Sequence, residues 1–471
     1  MDEALSPEIR RRLRPTITAS RNHDSVRMVA IFLDMPPFFL YPSLGRKIGI
    51  SFLLGGVDGM SIPSFLTMDA FDFHNKTVLL RVDFNSPLDD AKRITDDSRI
   101  RMHAPTIREL MDKGAKVVIL THQGRPGDPD FSTLREHAER LSQILGKPVG
   151  YVPDVYGELA KAAIKSLKPG DVLVLENVRT IPEETAKMKP ADFARTEFVR
   201  TLASMADAYV NDGFAVAHRA NASVVGFPIL LPAFAGRLME TELKALERVR
   251  RAEEKPCLYI LGGAKAEDAA AISEYVLSHR KADFVITGGV VGQLFLYAKG
   301  VDLGDTNVRF LEAKGFLHYV PKIKRLFQDF QDRILTPKDF GVEAEGKRRD
   351  ISLEDLPTPF PILDLGPRTV EFYSKVISSA RIIVLSGPMG VYERPDFMLG
   401  TKGVFEAVAM SKAFSVAGGG NTIEALEKLG LSQRVGYISS GGGALMEYLT
   451  GKTLPGVEAL EEAAKRWQGK L

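Results

Sequence analysis

Arginine and histidine recur just past short apolar runs in the first half of this chain, and glycine clusters take their place in the second half. Val78-Leu79-Leu80-Arg81-Val82 stops at Asp83-Phe84-Asn85, and Val117-Val118-Ile119-Leu120 stops at Thr121-His122-Gln123-Gly124-Arg125. Val172-Leu173-Val174-Leu175 stops at Glu176-Asn177-Val178-Arg179. Guanidinium groups offer fixed, permanently charged donors that match phosphate and carboxylate oxygens, so this half suits a small acidic substrate. In the second half, apolar runs lead into Gly262-Gly263-Ala264-Lys265, Gly288-Gly289, Gly387-Pro388-Met389-Gly390 and Gly418-Gly419-Gly420-Asn421-Thr422. Glycine lets backbone approach a ligand closely, and a helix N-terminus after it favours phosphate. Neither a Walker A pattern nor a full G-x-G-x-x-G with its acid is present, so the nucleotide reading rests on the ensemble.

Those residues need a scaffold that brings strand ends together. From Met68 onward, apolar runs of about five residues alternate with amphipathic stretches such as 107–113, 134–145 and 198–205, which predicts βαβ units and parallel sheets. Ligands of such sheets bind outside the carboxyl ends of the strands, where the polar clusters fall. The charged stretch 240–254 lacks turn signals and separates the two chemistries, so a helix over 239–255 is expected to join the lobes. The charged, Pro-containing segment 341–359 suits a surface excursion. Residues 1–67 do not share the rhythm; they read as a poorly ordered extension of the kind an upstream start would append.

At 471 residues, 45% hydrophobic and 26% charged, the chain is long enough for two or three cored domains. A formal net charge of +2 gives no general affinity for nucleic acid or an acidic membrane surface. The one cysteine, Cys257, sits inside an apolar run as a core thiol, and no Cys/His metal spacing occurs. A cytoplasmic protein is expected, with no membrane span.

Several strings together are similar to phosphoglycerate kinase. They include Arg81-Val82-Asp83-Phe84-Asn85-Ser86-Pro87, His122-Gln123-Gly124-Arg125-Pro126, Leu175-Glu176-Asn177-Val178-Arg179 and Ala217-His218-Arg219-Ala220. Leu261-Gly262-Gly263-Ala264-Lys265, Gly387-Pro388-Met389-Gly390-Val391-Tyr392-Glu393, Gly418-Gly419-Gly420-Asn421-Thr422 and Ser440-Gly441-Gly442-Gly443-Ala444 continue the set in family order. The resemblance, closest to archaeal members, implies an α/β fold of two Rossmann-like lobes with mostly parallel sheets. The lobes would cover 68–238 and 256–443, with a hinge helix between them and a tail, 444–471, returning to the first. It implies reversible phosphoryl transfer between 1,3-bisphosphoglycerate and ADP, giving 3-phosphoglycerate and ATP with Mg²⁺, by a glycolytic enzyme working as a monomer, a dimer remaining open.

By that resemblance the triose acid would meet Asp83, Asn85, Arg99, His122, Arg125, Arg179 and Arg219. The nucleotide would meet Gly263, Lys265, Gly288, Gly289, Glu393, Gly418, Gly419, Gly420, Asn421 and Thr422, with Asn421 a weak metal ligand. Arg99 and Lys265 would neutralise charge in transfer; an alternative for Arg99 is a surface ion pair with Asp96 or Asp97. Asp212, beside Gly213, reads as a turn former. The chain departs from the family where many members carry a second lysine, here Ala269, where an Asp is common, here Asn421, and at Ser386 in place of Asn. These departures and the odd leader keep one rival open, an impaired descendant that binds nucleotide or acts as a scaffold; a further reading, a Rossmann-type dehydrogenase, is disfavoured by the absent fingerprint.

Overall fold

The computed structural model describes residues 64–470. Of the leading segment expected to be poorly ordered, residues 1–63 lie outside the described residues. Leu66 and Thr67 instead bridge to the first sheet: the Ala235 N–H donates to the Leu66 carbonyl at 2.8 Å, and Thr67 pairs with Ala235 in parallel.

Two six-stranded sheets dominate. The first contains β1 (Thr77–Arg81), β2 (Lys116–Leu120), β3 (Gly150–Tyr151), β4 (Val172–Val174), β5 (Ala208–Asn211) and β6 (Ala233–Ala235), ordered β3-β4-β2-β1-β5-β6. The second is built from β7 (Cys257–Leu261), β8 (Phe284–Thr287), β9 (Ile334–Leu335), β13 (Ile382–Ser386), β14 (Phe414–Ala417) and β15 (Tyr437–Ile438), ordered β15-β14-β13-β7-β8-β9. All pairings in both are parallel. The expected α/β class with parallel sheets is what forms.

The strands are buried on both faces, as helix-covered parallel sheets require. Leu79 points into one core while Val78 and Leu80 point into another. Register then levels the strand ends: Arg81 lies opposite both Leu120 and Asn211, and Leu385 opposite both Ile260 and Ala417. Strand order reverses between β1 and β5 in the first sheet and between β7 and β13 in the second. Such a reversal opens a crevice at the carboxyl edge, where ligands of open α/β sheets bind.

The segment 341–359, expected as a surface excursion, carries two strands of a small sheet. β10 (Asp339–Ala344), β11 (Lys347–Ser352) and β12 (Ile362–Leu365) form an antiparallel sheet in the order β11-β10-β12. Its charges hide the pattern because β11 is an edge strand whose side chains mostly face water. Arg348 reaches back to the buried Asp364 carboxylate at 2.7 Å. Burial nevertheless pushes that carboxyl up to about 6.

The connecting helix spans Arg237–Arg251, a few residues ahead of the 239–255 expected. Its start is set by tertiary contact. Asp212, at the end of β5, is fully buried, and its Oδ1 accepts from the Leu238 N–H and the Thr106 hydroxyl, both at 2.9 Å. A carboxylate at a helix N-terminus meets unpaired amides and the positive end of the dipole. Its Oδ2 accepts from His103 Nδ1 at 2.6 Å. Asp212 is thus an anchor for the helix as well as a turn residue. Gly236 must be glycine, because a Cβ there would lie 2.2 Å from Asp212 Oδ1. The helix ends at Ala252 in the left-handed region, φ 50°.

After β15 come the helices Gly442–Leu449 and Pro455–Trp467. The second crosses to the first sheet's layer, where the Gly456 N–H donates to the Ala217 carbonyl at 2.8 Å and Arg466 to the Pro228 carbonyl at 2.6 Å.

Substituting Gly236→Ala should displace the Asp212 carboxylate and lower stability by about 1–3 kcal/mol, the usual range for overpacking. Urea unfolding checks this, and an unshifted midpoint would show that the anchor does not depend on close approach at Gly236.

Candidate active site

Three loops at the edge of the first sheet are sewn together by side-chain amides. Gln123 accepts from the Ser86 N–H at 2.9 Å and donates to the Ser86 carbonyl at 3.0 Å. Asn177 donates to the Gln123 carbonyl at 2.8 Å, and Asn85 Oδ1 accepts from the Gly124 N–H at 2.7 Å. These bonds satisfy buried loop backbone that has no sheet partner. They also hold the charged side chains in place. Beyond Arg81 the strand does not continue: Asp83 Oδ1 accepts from the Asn85 N–H at 3.2 Å, a local turn rather than two side chains on one pleated face.

Asp83 is buried and paired with Arg99. The surface alternative for Arg99 is therefore not seen; Asp97 pairs with Arg101 and Arg140 instead, and Asp96 accepts from Ser98. Burial alone would raise the Asp83 pKa, but His122, Arg99 and Arg81 outweigh it and leave the carboxyl below its ordinary value.

The remaining arginines crowd. Arg179 is buried, with its guanidinium donating to the Gly124 carbonyl. Its pKa falls to about 10 because of burial and then the like charges of Arg219, Arg81 and Arg125. Arg219 is lowered by burial and by Arg125, and its Nε donates to His218 Nε2 at 3.3 Å. Mutual repulsion among cations on this scale is relieved when an anion enters.

Asp83, Asn85, Arg99, His122, Arg125, Arg179 and Arg219 all line one cavity of about 430 Å³. Its far wall comes from the second sheet's side: Lys265, Gly419 and Gly420. All seven residues expected at the acid and three of those expected at the nucleotide thus share one space. His218, Ser439 and Ser440 line it as well, and the sequence reading gave no role to these serines. Ser440 bonds the connecting helix, its N–H and hydroxyl each donating to Glu242 Oε1 at 2.6 Å.

Gly263, Gly288, Gly289, Glu393, Gly418, Asn421 and Thr422 do not line that cavity. Gly289 borders a narrower cleft with Pro337, Asp364 and Met389, and Glu393 and Asn421 are exposed. The glycine loops interlock: the Gly263 N–H donates to Pro388 at 2.6 Å and the Gly289 N–H to Met389 at 2.9 Å. At Gly288 a Cβ would lie 2.4 Å from Met389 Sδ, so close packing of the loops favours glycine there. The Thr422 hydroxyl is spent on loop structure, accepting from the Gly387 N–H at 2.8 Å and donating to the Gly418 carbonyl at 2.9 Å. Ala269 is buried in the helix Ala266–Ser278, whereas Lys265 at the head of that helix is exposed to the cavity. Sequence reasoning missed His103: with Thr106, one helical turn on, it bonds Asp212, a partner far away along the chain that nothing in the sequence pointed to.

Comparison with known proteins agrees with this arrangement. The phosphoglycerate kinase family model matches residues 68–452. The phosphoglycerate kinase of Methanothermus fervidus is 45% identical over 403 residues, covering 85% of this chain and 98% of that protein. That of Pyrococcus furiosus is 46% identical over 405 residues, with the same shares covered. The crystal structure of phosphoglycerate kinase from Pyrococcus horikoshii superposes with a TM-score of 0.79 at 44% identity, covering 85% of this chain and 100% of that one. With the match running along the whole of both sheets and the edge between them, the chain belongs to the phosphoglycerate kinase family.

Proposed function

We propose that this chain catalyses reversible phosphoryl transfer between 1,3-bisphosphoglycerate and ADP, giving 3-phosphoglycerate and ATP. The observation that carries this reading is the single cavity with crowded arginines on one wall, and Lys265 and a glycine-rich helix start on the other. Residues 68–238 serve as the acid-binding lobe and 256–443 as the nucleotide lobe, with the helix between them as hinge and the tail 444–471 returning to the first. Asp83, Asn85, His122, Arg125, Arg179 and Arg219 hold the triose acid. Gly263, Gly288, Gly289, Glu393 and the Gly418–Thr422 loop hold the nucleotide. One chain supplies both walls, which supports a monomer, and membership of a glycolytic family supports a cytoplasmic enzyme.

In transfer, a β-phosphate oxygen of ADP bonds to phosphorus as the acyl-phosphate P–O bond breaks, leaving the triose carboxylate. No proton has to be removed from the donor, so the protein's work is positioning and charge neutralisation. Arg99 and Lys265 supply cations to the three equatorial oxygens. Closure of the lobes about the hinge brings reactants into line and expels water, which would compete as acceptor.

Mg²⁺ enters as part of the nucleotide substrate. Among the described residues no cluster of three or more His, Cys, Asp or Glu could form a cage. Asn421, exposed in the first turn of the helix Gly420–Lys428, fits as a neutral oxygen donor to a cation held mainly by phosphates and water.

The decisive experiment is a coupled assay in the ATP-consuming direction, where 3-phosphoglycerate-dependent ADP release is expected. Folded protein that binds ATP without such release would instead support a binding role. Arg99→Ala should lower kcat by about 10²–10³-fold, the usual loss for one preorganised donor, with ADP affinity unchanged by calorimetry. Asn421→Asp should lower the Mg²⁺ concentration needed for half-maximal rate; an unmoved metal titration would remove Asn421 from the metal's surroundings.

A further inference from the structure

Behind the cavity wall lies a charged group that the proposed mechanism does not use. Arg81, the last residue of β1, is 1% exposed, and its partner Glu184 is 0% exposed. Taking a guanidinium out of water is costly unless its donors are satisfied, and here they are pinned in three directions. Nε donates to Ser223 Oγ at 2.8 Å. One terminal nitrogen donates to the Val82 carbonyl. The other lies 3.9 Å from Glu184 Oε1 and 3.3 Å from His122 Nδ1.

Glu184 is itself immobilised, accepting from the Ser223 N–H at 2.8 Å, the Ser223 hydroxyl at 2.7 Å and Asn221 at 3.2 Å. Arg81 therefore cannot swing away from the histidine. A guanidinium has donors and no acceptor. A protonated Nδ1 would set two donors head to head at 3.3 Å, so the ring must present its lone pair there and carry its proton on Nε2.

The competing arrangement is an imidazolium paired with Asp83, whose Oδ1 lies 3.7 Å from His122 Nδ1. That distance exceeds a hydrogen bond. Both Asp83 oxygens are already engaged, Oδ1 by the Asn85 N–H and Oδ2 by Arg99. Burial also pushes the His122 pKa well below its ordinary value; Asp83 opposes this, while Arg81, Arg179 and Arg219 add to it.

We infer that Arg81 is a positioning residue: it fixes His122 as the neutral tautomer with the proton on Nε2, so that this cavity-lining ring acts as a hydrogen-bond donor and not as a cation or an acceptor. The inference rests on the reading of the cavity as the triose-acid site only for what His122 then donates to. A donor suits carboxylate and phosphate oxygens, which only accept. A neutral ring adds no further positive charge to a wall where Arg179 and Arg219 already repel one another.

The test is ¹⁵N NMR of the full chain labelled at its histidine rings, without substrate, with His122 assigned by its absence in His122→Gln. The expected spectrum shows Nδ1 unprotonated and Nε2 protonated. A proton on Nδ1, or a doubly protonated ring at neutral pH, would overturn the inference without any Arg81 variant having to fold. Arg81→Met should then mix the tautomers and raise the KM for 3-phosphoglycerate about ten- to a hundredfold, with a smaller change in kcat. Arg81→Lys, which keeps a donor and a charge, should restore the wild-type tautomer. An Arg81→Met protein with an unchanged ring spectrum and KM would also overturn it. Adding 3-phosphoglycerate should shift the Nε2 signal; the expected tautomer with an unmoved signal would tell against the acid-site reading of this cavity and leave Arg81's hold on the ring standing.

Discussion

Like-charge repulsion is the constraint around which the first lobe is organised. Arg81, Arg99, Arg125, Arg179 and Arg219 are gathered at one sheet edge with Asp83 and Glu184 as their buried acidic counterparts. Left free, such side chains would diverge into water. The lobe opposes this with rigid backbone: level strand ends, the Gln123 and Asn177 amides that sew adjacent loops, and ion pairs that orient individual guanidiniums. The repulsion stored there favours an anionic ligand over water, and it is present before any ligand arrives.

The second lobe solves a different problem with glycine. Its glycine loops approach one another so closely that side chains are excluded, and the loops bond backbone to backbone through Pro388 and Met389. Few of its charges face the shared cavity, where Lys265 stands at the head of a helix. The two edges differ in chemistry accordingly: fixed cations on one, backbone amides and helix starts, which favour phosphate, on the other.

What joins the two is a helix whose N-terminus is gripped by Asp212 and whose middle is gripped by Ser440 through Glu242. Asp212 also holds His103, which accepts from the Asp83 N–H at 3.0 Å. One hydrogen-bonded line therefore runs from the loop after β1 to the start of the connecting helix. Glu242 sits where the second lobe's last loop meets that helix; burial raises its pKa, and the hydrogen bonds from Ser440 oppose the rise.

The sequence by itself determined the class of fold, because strand-length apolar runs alternating with amphipathic stretches leave little choice but parallel sheets covered by helices. It also determined which residue types stand at the strand ends, guanidiniums in one half and glycines in the other. As residues lining one cavity, Asp83, Asn85, His122, Arg125, Arg179, Arg219 and Lys265 were legible from the strings they belong to, and Arg99 only through the family resemblance. Only the tertiary structure decided who pairs with whom. Arg99 chose Asp83 over its sequence neighbours, the 341–359 segment became an edge hairpin despite its charges, and Asp212 became a helix anchor. The roles of Arg81 and His103 were likewise invisible, since a hydrogen bond's direction and a group's burial depend on partners distant along the chain: Glu184 and Ser223 for the one, Asp212 for the other.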